Sequence, residues 1–538
     1  MPIIYLETFA GERPKLDPRL LPNEASQVAY NCHFDNGNLS ALYDSSVIDI
    51  ALDAKTKTIF KYLNTHWFSW ESDVDVVPSL IANDPYQRLY FTGDSYPKVT
   101  NNEIFDGITK PAVSYKLGVQ APEIAIITAV TESTDPDEDI NDNEERYYTH
   151  TFVTGAGEEG PPGDASEKII IQFPNDSETF VTLSFSPPNE NLSNITHRRI
   201  YRSVTGGGLS DYLMVAEIPI ADVEYIDELL GEELGLTLDT YDYEMPPSNL
   251  EGLCSMANGI MVGFTGNTLY FCEAYLPYAW PSKYQRTTEH NIVAVVPMGN
   301  SIAVLTEGFP WIFSGSSPDS ISGYKVESAQ ACLSRKSALI VGGVVMYASP
   351  DGLVALVSDG AENITGSIIT RKQWQKYEPK TIKAFNQEGR YLGFYGDSEC
   401  FIFDPVSGDF RHLSQECICG FNSLLDDTLY LFNGTELKEW NSSLTKLSYR
   451  WRSKEYRFND TNFGAVLIRG EELQKAGFKL FTDGKEILHL KPGKIPEVAF
   501  RIPSTRGQFW EFELYGDTDI QSIIIGSSMS EIKQVING

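Results

Sequence analysis

Five segments of the chain share one pattern and recur at a nearly fixed interval. They are GIMVGFTGNTLYFCE (259–273), SIAVLTEGFPWIFSG (301–315), VVMYASPDGLVALVS (344–358), RYLGFYGDSECFIFD (390–404) and TLYLFNGTELKEWN (428–441). In each, an apolar strand meets a tight turn holding Gly with Asn, Asp or Glu, and a second apolar strand follows. Such turns need positive φ, which Gly, Asn and Asp reach at little steric cost, so each segment reads as a β-hairpin. The turn glycines Gly266, Gly308, Gly352, Gly396 and Gly434 lie 42, 44, 44 and 38 residues apart. Four-stranded propeller blades repeat at roughly 40–45 residues, so this period predicts a β-propeller.

A sixth hairpin, QRLYFTGDSYPKVT (87–100), turns at Gly93. The 173 residues between Gly93 and Gly266 exceed one blade repeat by about 130 residues, which predicts a domain inserted after Gly118. Residues 119–248 have the required character: short alternating strands separated by Gly, Pro and Asn turns, the pattern of a small antiparallel sandwich of fibronectin or immunoglobulin type. From Lys116 to Met245 there are 27 acidic and 6 basic residues, so a net of −21 out of the chain's −32 sits in this module. Beyond about residue 447 alternation continues to the end, with a turn at Asp483-Gly484, and charge is nearly balanced. The expected fold is therefore all-β. An N-terminal strap with a short helix (1–45) leads into a propeller of about six blades (46–118 and 249–446). The acidic sandwich (119–248) interrupts it, and a C-terminal β-sandwich-like domain (447–538) closes the chain.

Composition narrows function mainly by exclusion. An acidic surface repels DNA phosphates, which argues against basic-groove recognition but suits a surface that DNA slides past. The seven cysteines are odd in number and scattered, the pattern of free buried thiols in a reducing compartment. Cys417 and Cys419 would share one face of a strand, with no second pair near enough for zinc. The first residues lack a basic stretch followed by an apolar run, and no run is long enough for a membrane span, so synthesis in a cytoplasm is expected. In the acidic loop 135–145, Asp135, Asp137 and Asp139 match the opening of an EF-hand, but Ile140 and Arg146 stand where Gly and Glu are needed. Glu273, Asp351, Asp397 and Asp404 sit mostly in hairpin turns, where Asp serves the backbone, rather than as a carboxylate pair for glycoside hydrolysis. No sialidase-type Asp box, phosphate-binding loop, His-Glu-x-x-His or Gly-x-Ser-x-Gly motif occurs. VTGGGLS (204–210) reads as a turn, and HRRIYRS (197–203) as a basic strand making local salt bridges. No catalytic, metal or cofactor residue is expected, and the chain reads as a non-enzyme.

The opening strap carries the most specific signal. ETFAGERPKLDPRLLPNEASQVAYNCHFDNGNLSAL (7–42) resembles the N-terminus of tail nozzle (tail hub, tubular B-type) proteins of short-tailed bacteriophages. GEEGPPGDAS with HRRIYRS, FCEAYLPYAWPSKY (271–284), and RGQFWEFELYG followed by DIQSIIIGSSMSEI are similar to the same family. The resemblance implies a structural virion protein. Six copies would form a homohexameric ring below the adaptor and portal, contact tail fibres or spikes, and close the DNA channel until genome ejection. A propeller used as a surface binding or adhesion module is the alternative. Pro14, Pro18 and Pro22 hold the strap extended at low entropic cost. Asn23 is placed to cap the short helix, with Glu24 in its first turn. Residues 5–32 are expected to lie along the propeller or against a neighbouring subunit.

Overall fold

The computed structural model describes residues 2–103, 111, 113–134, 143–172, 174, 176, 178–203, 211–357, 360–396 and 399–537. It is all-β, with 46% strand and 6% helix. Five of the six hairpins lie in four-stranded antiparallel sheets, and the other, at 390–404, lies in a run of four antiparallel strands that belongs to a ten-stranded sheet. Sheet II holds Asp75–Pro78, Leu89–Thr92, Lys98–Thr100 and Tyr115–Lys116. Sheet III runs from Glu251–Ser255 to Arg286–Thr287, sheet IV from Ile292–Met298 to Ser322–Lys325, and sheet V from Leu339–Val341 to Gly360–Asn363. Sheet VI runs from Lys383–Gln387 to Phe410–Leu413. Sheet VII has three strands of its own, Cys419–Ser423, Thr428–Phe432 and Leu437–Glu439, and takes its fourth, Ser46–Ile48, from the other end of the chain.

A further hairpin, sheet I, pairs Thr58–Tyr62 with His66–Trp70. Its turn uses Leu63 and Asn64, both at positive φ (50° and 58°), with no glycine to mark it. Gly308 departs from expectation in the other direction. It does not adopt positive φ; its missing side chain instead admits the His290 ring, since a Cβ would lie 2.7 Å from Nδ1.

Apolar clusters join each sheet to the next. Phe68 and Trp70 of sheet I pack with Leu89 and Phe91 of sheet II. Tyr90 of sheet II shares a core with Val262 and Phe271 of sheet III and Ile302 of sheet IV. Leu305 meets Tyr347, Leu353 meets Tyr391 and Phe401, and Leu392 meets Leu431, linking sheets IV to VII. Finally Cys419 and Phe432 of sheet VII pack on Ile59 and Trp67 of sheet I. Cys417 and Cys419 are therefore not neighbours on one face: Cys417 lies before the strand begins and faces sheet VI, while Cys419 faces sheet I. All seven cysteines are free thiols, and six of them are buried.

Between sheets II and III, strands Ile127–Thr131, Phe180–Ser184 and Glu224–Asp227 form one sheet. Tyr148–Thr154, Ile195–Ser203 and Tyr212–Pro219 form another. They enclose Val181, Leu183, Tyr148 and Ile200. The acidic loop over residues 135–142 and the turn 204–210 lie outside the described residues, as does Asp397.

The strap is not a separate segment. Ile3–Leu6 pairs with Ile520–Gly526, and Ser26–Tyr30 pairs with Tyr449–Ser453. Ile4, Leu6, Phe9, Ala29 and Phe34 are built into the same core as Trp451, Trp510 and Phe512. Both chain ends thus make one β domain, which runs on into sheet VI through Tyr30 beside His412. The helix expected after Asn23 is a strand. Ser26 and Ala29 turn inward and Val28 and Tyr30 favour the pleat. The one helical turn near it is Pro18–Leu20, capped by Asp17, whose carboxylate accepts from the Arg19 amide.

Candidate functional site

Residues at or just ahead of the first strands of sheets II, III and V form an ion cluster. Arg335 and Lys336 come from the short turn Arg335–Ser337, just ahead of sheet V. Lys336 Nζ donates to Asp73, in the loop between sheets I and II, at 2.5 Å, and reaches the Lys57 carbonyl ahead of sheet I at 3.4 Å. Arg335 Nη1 lies 3.2 Å from Asp75, the first residue of sheet II, and 3.7 Å from Glu251, the first residue of sheet III. The Gly252 amide also donates to Asp75 at 2.9 Å. Lys383, which opens sheet VI, donates to the Ile418 carbonyl ahead of sheet VII at 2.6 Å.

The cluster links several sheets through paired charges. Burial acts to lift the Asp73 carboxyl, but the hydrogen bond and charge of Lys336 bring it below its ordinary value. Burial wins at Asp75 and raises it in spite of Arg335. Arg335, Lys336 and Lys383 each have an acceptor. Among the described residues, no group of three or more His, Cys, Asp or Glu side chains is placed to hold a metal ion. No described helix is long and apolar enough to cross a membrane.

The acids singled out in the sequence are dispersed. Glu273 accepts from the Tyr284 hydroxyl at 2.7 Å. Asp351 faces Arg371 at 3.2 Å. Asp404 caps its own turn, accepting from the Val406 amide at 2.8 Å and from Arg390. The basic strand does make local ion pairs. Arg199 pairs with Glu159 and, at 2.7 Å, with Glu217; Arg202 meets Asp227 at 2.8 Å. Arg198 is different: it stacks on the Phe185 ring at 4.5 Å. Burial lowers its pKa to about 10.

Three junctions join distant stretches. Glu159 also accepts from Tyr201 and Thr151, each at 2.6 Å, so the Gly-Glu-Glu-Gly-Pro-Pro turn is pinned to the basic strand. Its neighbour Glu158 accepts from Arg88 of sheet II at 2.6 Å, and Arg88 Nε donates to Asp84 at 2.8 Å. This triad ties the acidic module to the first sheets. Tyr278 packs beside Val119, Phe152 and Ile195 of the module. The third junction is the strap itself: Phe9 meets Trp451 edge-on at 5.1 Å, and the indole donates to the Ala10 carbonyl at 3.1 Å. The ion cluster was invisible in sequence because Asp73 and Lys336 are 263 residues apart and neither sits in a motif. Each lies just ahead of the first strand of its sheet.

No protein family and no curated protein matches the chain. Among solved structures it is similar to the computationally designed Ika8 protein, at 9% identity and a TM-score of 0.29, covering 74% of this chain and 99% of that one. Saccharomyces cerevisiae Sqt1 matches at 10% identity and 0.29, over 66% and 93% of the two chains. BamB from Moraxella catarrhalis matches at 13% and 0.24, over 54% and 90%.

Proposed function

We propose that this chain is a structural protein of a short phage tail, the nozzle or hub ring at its distal end, and that it has no enzymatic activity. In this reading sheets I to VII form a closed propeller of seven units, one of them only two-stranded. Residues 119–248 are a fibronectin- or immunoglobulin-like sandwich set into it, and the two chain ends share the closing domain. The supporting observation is that several of the stretches resembling nozzle proteins meet in the fold. Leu39 of the strap bridges Ile520, Phe9 and Phe34 share a core with Trp510 and Phe512, and the Glu159 turn lies on Arg199 and Tyr201. A resemblance scattered along the chain thus corresponds to units that fold together.

The ion cluster bears on how such a ring would conduct DNA. Lys336 and Asp73 reach between sheets V and II, which lie on opposite sides of the proposed propeller. The axis of one copy is therefore crossed by its own side chains. DNA would pass through the lumen enclosed by six copies, along surfaces whose acidity discourages adhesion. Immunogold electron microscopy with antibody to residues 119–248 tests the assignment on tailed particles from the source lysate. Label confined to the tail is expected. Particles that carry none of the protein, even after denaturation exposes all epitopes, would overturn it.

A further inference from the structure

A cavity of about 400 Å³ lies where residues 33–43, sheets VI and VII and the C-terminal domain meet. That volume falls within the range of small-molecule sites. Leu42, Leu392, Ile402 and Trp440 supply an apolar wall, and Arg411 adjoins it beside Ile402. Arg411 sits on the outermost strand of sheet VI, opposite Ile402. It is 2% exposed. Its guanidinium lies against the Phe34 ring at 5.6 Å, yet Nε and Nη2 donate to no acceptor among the described residues.

The other charged groups here are already committed. Arg390 is held by Asp35, by Glu388 at 3.1 Å and by Asp404 at 3.4 Å. Lys446 faces Asp519 at 3.3 Å, and His33 faces Asp35 at 3.0 Å. Burial, followed by the charge of Arg390, lowers the pKa of Arg411 against the opposing pull of Asp409 and Asp35. A buried guanidinium with open donors is costly unless an anion meets it, and its planar fork matches a carboxylate or phosphate.

We infer that this cavity binds a small organic anion, its carboxylate or phosphate head on Arg411 and its apolar part against Trp440 and Leu392. Nothing in the inference depends on the tail assignment. Because four parts of the chain line the cavity, binding would brace them together and raise the melting temperature by linkage.

The test is thermal unfolding and titration calorimetry of the full chain with inorganic phosphate, acetate and benzoate, each against sodium chloride at equal ionic strength. A saturable stabilisation by at least one oxyanion is expected, with affinity at least tenfold weaker in Arg411→Met. Phosphate acting alone assigns a phosphate head. Benzoate acting more strongly than acetate assigns a carboxylate carried on an apolar body. Ser40→Trp, which fills the cavity mouth and leaves Arg411 in place, should abolish the effect as well, and serves if Arg411→Met does not fold. Absence of any saturable effect in the native chain, or an equal effect in native chain and both variants, overturns the inference.

Discussion

Replacing Arg88 with methionine would strand two carboxylates at once. Asp84 and the Arg88 side chain are almost wholly buried, and Glu158 is little more exposed. Removing one partner of such a group leaves uncompensated buried charge, at a cost of about 3–5 kcal/mol. Urea unfolding of Arg88→Met should show this loss. The two acids then differ in how they respond to pH. At Asp84 burial acts upward, but the hydrogen bonds and charge of Arg88 bring the carboxyl below its ordinary value. Its stabilisation is complete above the unfolded value of about 3.9 and is lost as pH falls through the lower folded one. Glu158 is raised by burial, ahead of the opposing pull of Arg88. Its contribution is complete below about 4.3 and is lost as pH rises through the higher folded value. Glu158→Gln removes only the second dependence. Relative to the native chain, this variant should therefore be more stable at pH 7 than at pH 4, read as a shift in urea midpoint. An unchanged difference between the two pH values would mean that Glu158 titrates normally. At this scale the sequence was partly legible. The Arg-rich strand announced ion pairs, but the choice of Glu159 and Asp227 as partners, and of Phe185 for Arg198, depends on which strands face one another.

Elements were legible wherever a glycine marked a turn. All six such hairpins appear as sheets. The seventh, Thr58–Trp70, was not anticipated because Leu63 and Asn64 take up left-handed backbone without a glycine. In the strap, proline spacing indicated extension, but the small residues after Asn23 suggested a helix where Ser26–Tyr30 is a strand. Local propensity there yields to pairing with the strand Tyr449–Ser453, over 400 residues away, a partner no local window contains. The strap's integration carries a prediction of its own. Deleting residues 1–22 removes Ile3–Leu6 from the edge of Ile520–Gly526 and Phe9 from the face of Trp451. The shortened chain should melt several degrees lower even at concentrations where no ring forms. Phe9→Ala alone should cost about 3–5 kcal/mol, the usual loss for a buried phenylalanine. If the shortened chain melts as the full one does and fails only in assembly, the strap serves neighbouring subunits rather than its own domain.

Charge is a property of the whole molecule, and it is unevenly held. The net is −32, of which −21 falls between Lys116 and Met245. Most of the ion pairs described above neutralise single sites and leave this excess in place. Self-repulsion of that size opposes the compact state and weakens as salt shortens the Debye length from about 30 Å at 10 mM to about 8 Å at 150 mM. Salt should therefore raise the melting temperature of this protein, and chiefly in the transition that unfolds residues 119–248. The pairs between sheets pull the other way: Lys336 with Asp73 is partly exposed and is weakened by the same screening. Comparing the native chain with Lys336→Met separates the two. The variant should retain the salt-induced gain of the acidic module, because that gain depends on summed repulsion and not on any one pair. The same repulsion governs contact with DNA. A duplex should show no measurable binding at 50 mM salt, where a protein with even a few phosphate contacts binds readily. Retention of DNA under those conditions would locate a basic surface that the distribution of charge along the chain does not foretell, and would remove the argument that acidity lets a genome pass without sticking.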